Sequence, residues 1–274
     1  MPLTNLPPLN VAALLRAHGL SASKGLGQNF LQDDTVLAQI AGAAEISPAD
    51  DVLEIGPGLG SLTRHLALAA RSVTAVELDE SLIPVLGEVL RPFGNVRVVH
   101  GDILNFKPAD LLPSADYLVV ANIPYYITSA VFRHLLENPP RPRRIALTIQ
   151  KEVAERICAQ PGEMSLLALS VQVYGAPSIA ARIPAEAFHP VPKVDSAVIR
   201  VDLYPQPLIP AEKLDDFFRL AKAGFSQKRK TLRNSLSAGL RISPAAAGEM
   251  LANAGIDPMR RAETLALEEW GRLV

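Results

Sequence analysis

A glycine-rich loop at residues 56–60 constrains the fold of this chain more than any other feature of its sequence. The apolar run Asp51 to Ile55 precedes the loop and a helical stretch begins near Ser61, which together predict a strand, a tight turn and a helix. The first two glycines let the backbone pass close to a ligand, and Gly60 permits close packing of the helix on the strand. A loop framed in this way is typical of Rossmann-like α/β domains.

Three further strand-like runs each end at a polar side chain. Glu77, Asp102 and Asn122 follow the runs at 72–76, 96–99 and 117–121. Because the carboxyl ends of parallel strands meet along one edge of a sheet, these side chains should share a crevice with the glycine loop. An acid about 20 residues beyond such a loop can bind both hydroxyls of a ribose, which predicts an adenosine-containing cofactor. Taken singly, Glu77 and Asp102 are also ordinary helix caps or turn residues.

The loop spacing distinguishes between adenosine cofactors. Dinucleotide enzymes space their glycines as G-x-G-x-x-G and hold a pyrophosphate at the helix N-terminus. Here the third glycine comes one residue early, at Gly60. The pattern favours a cofactor without phosphates, S-adenosylmethionine, over NAD. Two alternatives stay open. One is an NAD-dependent dehydrogenase with the same kind of sheet, and the other is a glycine turn that binds no ligand.

The tetrapeptide Asn122 to Tyr125 brings an amide, two carbonyls and an aromatic ring to the end of a buried strand. The Asn122 side-chain oxygen and the Ile123 carbonyl could both accept from one exocyclic amino group, while Tyr125 stacks on the ring that carries it. Pro124 fixes the turn between them. The tetrapeptide therefore predicts a socket for a flat, amine-bearing base, with a plain proline turn as the alternative.

Strand-like and helical stretches alternate from Asp51 to about Val173, which predicts a parallel sheet with helices on both faces. Two later strand candidates, Ser178 to Ile183 and Val194 to Leu203, predict an antiparallel hairpin at one edge. Prolines at 205, 207 and 210 then break the pattern, and only helices are expected beyond them. The prediction is a Rossmann-like methyltransferase sheet in residues 1–207 and a small all-helical domain in residues 208–274.

The net charge is −1, yet the charges are unevenly distributed. No Asp or Glu occurs from Phe217 to Arg241, whereas basic residues are frequent there. Since RNA is bound by a basic patch rather than by the whole surface, this stretch predicts an RNA-binding face, with a merely solvated helix as the alternative. The candidate contacts are Arg219, Lys222, Lys228, Arg229, Lys230 and Arg233.

Composition excludes several classes of protein. A hydrophobic content of 49% excludes a disordered chain, and one cysteine, Cys158, excludes an internal disulfide. The five histidines and the acids show no metal-ligand spacing, so no metal is expected. The sequence lacks a secretory signal and a run of the roughly 20 apolar residues that a membrane span needs. A cytoplasmic, monomeric protein without membrane contact is expected.

Six segments together resemble the KsgA-type small-subunit ribosomal RNA adenine dimethyltransferases. They are Lys24 to Leu31, Glu54 to Gly60, Glu77, Gly101-Asp102, Asn122 to Tyr125 and Phe188 to Ser196. The resemblance runs from about Lys24 to the C-terminus. Tyr126 departs from the family pattern, in which several members have asparagine at this position.

The resemblance implies methyl transfer from S-adenosylmethionine to the exocyclic amines of two adjacent adenines near the 3′ end of 16S ribosomal RNA, linked to late small-subunit assembly. It implies cofactor contacts at Asn29, Leu31, Gly56, Glu77, Asp102 and Asn122, to which the glycine loop adds Gly58. Phe188, in the loop between the predicted hairpin strands, would cover the second face of the target adenine. The alternatives are a core role for Phe188, a large-subunit methylase of the macrolide-resistance type, and a non-catalytic assembly factor.

Overall fold

The computed structural model describes residues 6–274. Nine strands are formed within these residues. They are β1 (Phe30–Leu31), β2 (Asp51–Ile55), β3 (Ser72–Glu77), β4 (Val96–His100), β5 (Tyr117–Asn122), β6 (Arg144–Gln150), β7 (Gly175–Ile183), β8 (Phe188–His189) and β9 (Ser196–Leu203). Twelve helices accompany them: α1 (Val11–Ala17), α2 (Asp34–Ala43), α3 (Ser61–Ala69), α4 (Ile83–Leu90), α5 (Pro108–Leu111), α6 (Thr128–Glu137), α7 (Lys151–Ile157), α8 (Leu166–Gln172), α9 (Leu214–Phe225), α10 (Leu232–Leu240), α11 (Pro244–Asn253) and α12 (Leu267–Gly271).

Seven strands form one mixed sheet in the order β4-β3-β2-β5-β6-β9-β7. The strands from β4 to β6 are parallel, and β9 runs antiparallel to β6. From β2 the chain forms β3 and β4 on one side and then crosses to the other side for β5, so a crevice opens at the carboxyl ends of β2, β3 and β5. The predicted Rossmann-like sheet with antiparallel pairing at one edge is thus confirmed, as is the helical C-terminal region.

A second, two-stranded sheet joins distant parts of the chain. Strand β1 pairs antiparallel with β8, with Leu31 opposite Phe188. The sequence predicts a loop at Phe188 and no strand at Phe30–Leu31, so this pairing differs from expectation. Both strands are two residues long, so neither carries a periodic pattern that sequence could reveal.

The glycine loop is built as expected, with one difference in what it packs against. Gly60 precedes α3 in a left-handed conformation, with φ of 83°. A β-carbon there would lie 3.3 Å from Leu90 and Val89 on α4. Gly60 therefore allows the loop to pack closely against the neighbouring helix α4. The prediction was different, namely that Gly60 permits close packing of α3 on its own strand.

The chain forms two compact units. The described part of the first covers residues 6–154 together with Ser178–Leu203, and the second covers Glu155–Pro177 together with Tyr204–Val274. Residues 155–177, which the sequence analysis assigned to the catalytic domain, thus pack in the second unit. Backbone hydrogen bonds from Leu208 to Val173 and from Met164 to Glu263 join them to the helical region. Residues 1–5 of the predicted catalytic domain lie outside the described residues.

The second unit consists of helices that approach one another closely. Gly239 on α10 lies against Ala223 on α9, where an added β-carbon would be 2.6 Å from the Ala223 Cα. Trp270 is fully buried and stacks on Phe225 with ring centroids 5.6 Å apart. Helix α11 begins at a capped N-terminus, since the Ser243 hydroxyl accepts from the backbone N–H of Ala246. No helix within residues 6–274 is both long and apolar enough to cross a membrane.

Strand β2 buries two carboxyl groups with opposite surroundings. Asp51 accepts hydrogen bonds from Arg71 and Ser72, and the Arg71 hydrogen bond lowers its pKa. Glu54 is buried as well, but its Oε2 has no hydrogen-bond partner among the described residues. Desolvation raises the pKa of Glu54 to about 8, and repulsion from Glu77 adds to the effect. Glu54 is therefore protonated at neutral pH.

The close contact at Gly239 predicts that glycine-to-alanine substitutions at two positions change the stability of the second unit in opposite directions. Gly239→Ala should destabilise the second unit by about 1 to 3 kcal/mol, because the new methyl group overlaps the α9 backbone. Gly248→Ala on α11 should stabilise it by about 0.5 to 1 kcal/mol, since the nearest atom, on Arg233, is 3.7 Å away. Urea unfolding measures both. Shifts of the same sign would contradict this packing.

The raised pKa of Glu54 predicts a pH-dependent stability. Glutamate in the unfolded chain titrates near 4.5, so between about pH 4.5 and 8 the folded protein holds one more proton and its free energy of unfolding falls as pH rises. Glu54→Gln removes this dependence, so the variant should lose less stability than wild type between pH 5 and pH 8. Glu80→Gln is the control, because it makes the same chemical change at an exposed site. Parallel stability profiles for wild type and Glu54→Gln would refute the assignment.

Candidate active site

A cavity of about 320 Å³ opens beyond the carboxyl ends of β2, β3 and β5. It is lined by every residue that the sequence analysis proposed for cofactor or base: Asn29, Leu31, Gly56, Gly58, Glu77, Asp102, Asn122, Ile123, Pro124, Tyr125 and Phe188. Parallel strands bring the strand-end residues together, and the β1–β8 pair adds Leu31 and Phe188. The cavity size is within the range of small-molecule sites.

The glycine loop is fixed to the end of β3 by Glu77. The Glu77 carboxylate accepts from the backbone N–H of Gly58 at 2.9 Å and from that of Asp79 at 2.8 Å. Its pKa is raised, mainly by burial, while these hydrogen bonds oppose the rise. At Gly56, where φ is 66°, a β-carbon would meet nothing within 4 Å. The space over Gly56 is thus open to a ligand. The Glu77 carboxylate beside it can accept further hydrogen bonds.

Asp102 stands at the end of β4 and caps the short turn that follows. Its side chain accepts from the backbone N–H of Leu104 at 2.9 Å. Gly101 precedes it with φ of 150°, and a β-carbon there would lie 2.6 Å from the Phe106 ring. The capping role that the sequence left open is therefore present, and Asp102 lines the cavity at the same time.

Asn122 is oriented by a hydrogen bond across the cavity wall. Its side-chain Nδ2 donates to the backbone carbonyl of Asn29 at 3.1 Å. Because a carbonyl can only accept, this contact determines which end of the amide is nitrogen. The Asn122 Oδ1 is the end left to accept from a ligand.

The loop that supplies the Asn29 carbonyl is itself held by Gln28, which sequence reasoning did not select. The Gln28 side chain donates to Asp79 at 2.7 Å and accepts from the backbone N–H of Ser23 at 2.8 Å. Asp79 in turn donates its backbone N–H to Glu77. Hydrogen bonds, together with the peptide bond between Gln28 and Asn29, thus connect the Asn122 amide to the glycine loop. Gln28 lies within the Lys24 to Leu31 segment of the family resemblance, which was the available signal.

Tyr125 opens a short 3-10 turn directly after Pro124. Its hydroxyl lies 2.7 Å from the hydroxyl of Ser196, the fully buried first residue of β9. Burial raises the pKa of Tyr125, and the Ser196 hydrogen bond acts against that rise. The ring is thus held at the cavity wall by its polar end, and Ser196 is a second positioning residue that sequence reasoning did not select.

Phe188 lines the cavity but is only 1% exposed. It packs in the core with Leu31 and Leu62. This is the burial expected of a core phenylalanine, so most of the ring serves packing in this structure. Its stacking on a target adenine stays a prediction.

The six candidate RNA contacts all lie in the second unit. Arg219 and Lys222 are exposed on α9, and Lys228, Arg229 and Lys230 are exposed in the connection to α10. Arg233 differs, because it is half-buried beneath α11 and its Nε has no hydrogen-bond partner among the described residues. Arg219 pairs with Asp216 at 2.8 Å, an exposed contact of little energy. Within residues 6–274, no group of three His, Cys, Asp or Glu side chains is arranged to hold a metal ion.

Comparison with known proteins identifies a family. The family model described as ribosomal RNA adenine dimethylase matches residues 19–274. A protein named ribosomal RNA small subunit methyltransferase A from Dehalococcoides mccartyi strain CBDB1 is 47% identical over 261 residues, which cover 95% of this chain and 90% of the relative. A protein of the same name from Moorella thermoacetica is 42% identical and covers 97% of this chain and 96% of its own length.

Two solved structures share the fold closely. The 23S rRNA methyltransferase ErmE has a TM-score of 0.72 and 33% identity, covering 89% of this chain and 98% of its own. A dimethyladenosine transferase from Plasmodium falciparum has a TM-score of 0.75 and 25% identity, covering 89% and 95%. With the family model matching nearly the whole sequence, the chain belongs to the ribosomal RNA adenine dimethylase family.

Proposed function

We propose that the protein transfers methyl groups from S-adenosylmethionine to the exocyclic amines of two adjacent adenosines near the 3′ end of small-subunit (16S) ribosomal RNA. The observation that carries the proposal is the orientation of Asn122, whose Nδ2 is engaged by the Asn29 carbonyl. This leaves Oδ1 as an acceptor at a cavity that also contains the candidate cofactor residues.

The cavity suits S-adenosylmethionine in its chemistry. When bound, this cofactor supplies a methyl group on a positively charged sulfur. The Glu77 carboxylate keeps acceptor capacity for the ribose hydroxyls, and Asp102 would accept from the adenine amine. The space over Gly56 leaves room for close approach of a ligand to the backbone. Asn29 and Leu31 would bound the remaining part of the site.

The protein residues act on the target amine by orientation. An adenine amino group is a weak nucleophile, because its lone pair is delocalised into the ring. Acceptance of its two hydrogens by the Asn122 Oδ1 and the Ile123 carbonyl would favour a pyramidal nitrogen and direct its lone pair into the cavity. Pro124 fixes the turn, and Tyr125 would stack beneath the base. The nitrogen loses its proton to water after it has become bonded to carbon, so no general base is assigned.

The small subunit is the favoured substrate among ribosomal RNAs. Relatives that are 40–47% identical to this chain along nearly its whole length carry small-subunit names, whereas ErmE, which is named for 23S rRNA, is 33% identical. A non-catalytic assembly factor would not need an Asn122 amide that is oriented by the Asn29 carbonyl. We further propose that the enzyme acts in the cytoplasm, as a monomer, on a late assembly intermediate.

The direct test is methylation of purified ribosomal particles. Small subunits from a strain without this modification, mature large subunits and free 16S RNA are each incubated with the enzyme and tritiated S-adenosylmethionine. Mass spectrometry of nuclease fragments then locates the label. Two adjacent dimethylated adenines in small-subunit RNA are expected. Label confined to large-subunit RNA, or no label on any of the three, would overturn the proposal.

Asn122→Ala should lower the single-turnover rate of methyl transfer about a hundredfold or more, because the alanine has no acceptor for the amine. RNA affinity should change little, since the base edge is a small part of the interface. Asn95→Ala is the matched control. The Asn95 amide donates to the carbonyls of Ala67 and Ala70, away from the cavity. An unchanged rate in the Asn122 variant, or an equal loss in the Asn95 variant, would contradict the assigned role.

Reversing three charges should identify the RNA-binding face. Replacing Lys228, Arg229 and Lys230 with glutamate should weaken RNA binding and lower the salt dependence, with the slope of log affinity against log salt falling by about two. The control reverses three exposed cations of the first unit, at Arg91, Lys107 and Arg133. A salt slope equal to that of wild type in the first variant would remove this segment from the interface.

A further inference from the structure

Two consecutive tyrosines line the cavity and differ in their exposure to solvent. Tyr125 is half-buried, and its hydroxyl is held by Ser196. Tyr126 also lines the cavity, yet its residue surface is 62% exposed, the largest value for a bulky apolar side chain within residues 6–274. An exposed aromatic ring beside a binding cavity offers apolar surface to any part of a ligand that extends beyond the cavity. Tyr126 is therefore a candidate contact outside the pocket proper.

The Tyr126 ring is supported on one side by backbone. A β-carbon at Gly27 would lie 3.3 Å from two ring atoms of Tyr126 and 3.5 Å from the Pro124 side chain. The glycine, in a left-handed conformation with φ of 62°, thus lets the loop and the ring approach each other closely. The same loop is tied down by the Gln28 contact to Asp79. One part of the ring is held against a fixed loop, and the rest faces solvent.

The surroundings of Tyr126 suit a nucleic-acid strand. The turn that ends at Gly27 begins at Lys24, which is exposed, with the Gly27 N–H donating to the Lys24 carbonyl. The loop that leads to Ser196 presents Lys193 to solvent, flanked by exposed apolar residues at 191 and 194. Asp195 anchors that loop by accepting from the backbone N–H of Lys151. An exposed cation thus occurs on each of the two segments that hold the tyrosines, and exposed apolar groups flank the cation on the second segment.

We propose that Tyr126 stacks on the nucleobase adjacent to the adenine that enters the cavity. The inference rests on the proposed function, since it assumes that one base of a polynucleotide occupies the pocket. The neighbouring base is joined to the bound one by a single backbone link. It must therefore lie close to the entrance of the cavity. A flat ring that is held along one edge and is otherwise exposed offers aromatic surface on which bases stack, whatever their sequence. Tyr126 would thereby set which of two adjacent nucleotides is presented for transfer.

The test is a double-mutant cycle between protein and RNA. Short RNAs carrying the two adjacent adenines are made intact and with an abasic nucleotide on either side of the target, and their affinities for wild type and for Tyr126→Ala are measured. Loss of one stacked base should weaken wild-type binding about tenfold. The same abasic RNA should cost Tyr126→Ala less than twofold, because its stacking partner is already missing. Equal penalties in both proteins would overturn the proposal.

Further variants separate stacking from folding. Tyr126→Phe should restore the coupling with the neighbouring base, whereas Tyr126→Leu, which keeps apolar contact with Gly27, should not. With intact RNA, the KM of Tyr126→Leu should rise about tenfold while kcat and affinity for S-adenosylmethionine stay near wild type. Coupling retained by Tyr126→Leu would contradict an aromatic platform. A wild-type protein that shows the coupling but transfers no methyl group would instead refute the proposed function and leave the stacking site standing.

Discussion

The arrangement of the site depends on one hydrogen bond, from the Asn122 side chain to the Asn29 carbonyl. An unanchored asparagine amide can present either its oxygen or its nitrogen, and only the oxygen can accept from an amine. The Asn29 carbonyl removes that choice. It can do so because the loop before it is tied by Gln28 to Asp79, while the residues after it form β1 and pair with β8. Local geometry at one side chain is thus determined by contacts between segments far apart in sequence.

The acids at the cavity show how the fold accommodates buried charge. Glu77 is compensated by two backbone N–H groups, whereas Glu54 lacks a partner on Oε2 and remains protonated near neutral pH. Because Glu77 binds the glycine loop directly, the residue that would hold a ribose also fixes the backbone around it. The structural role and the proposed binding role therefore fall on the same groups. The cap that Asp102 forms does not exclude the cofactor contact proposed for it, because a carboxylate can accept several hydrogen bonds.

The sequence predicted much of this site because its main components are local. The strand, loop and helix around Gly56 follow from composition and spacing, and parallel strands must then bring Glu77, Asp102 and Asn122 to one edge. Contacts between distant segments were beyond such reasoning. The pairing of Leu31 with Phe188 and the contact of Tyr125 with Ser196 join short stretches that carry no periodicity. The same limit explains residues 155–177, which read as part of the alternating pattern but pack with the helical unit.

The most direct measurement is a crystal structure with a non-reactive analogue of S-adenosylmethionine and a short RNA that contains the target adenine. The account predicts the analogue in the cavity at Gly56 and Glu77, with the adenine amino nitrogen within about 3 Å of the Asn122 Oδ1. The Asn122 Nδ2 should still donate to the Asn29 carbonyl. An analogue bound elsewhere, or an Asn122 amide whose nitrogen faces the base, would contradict it.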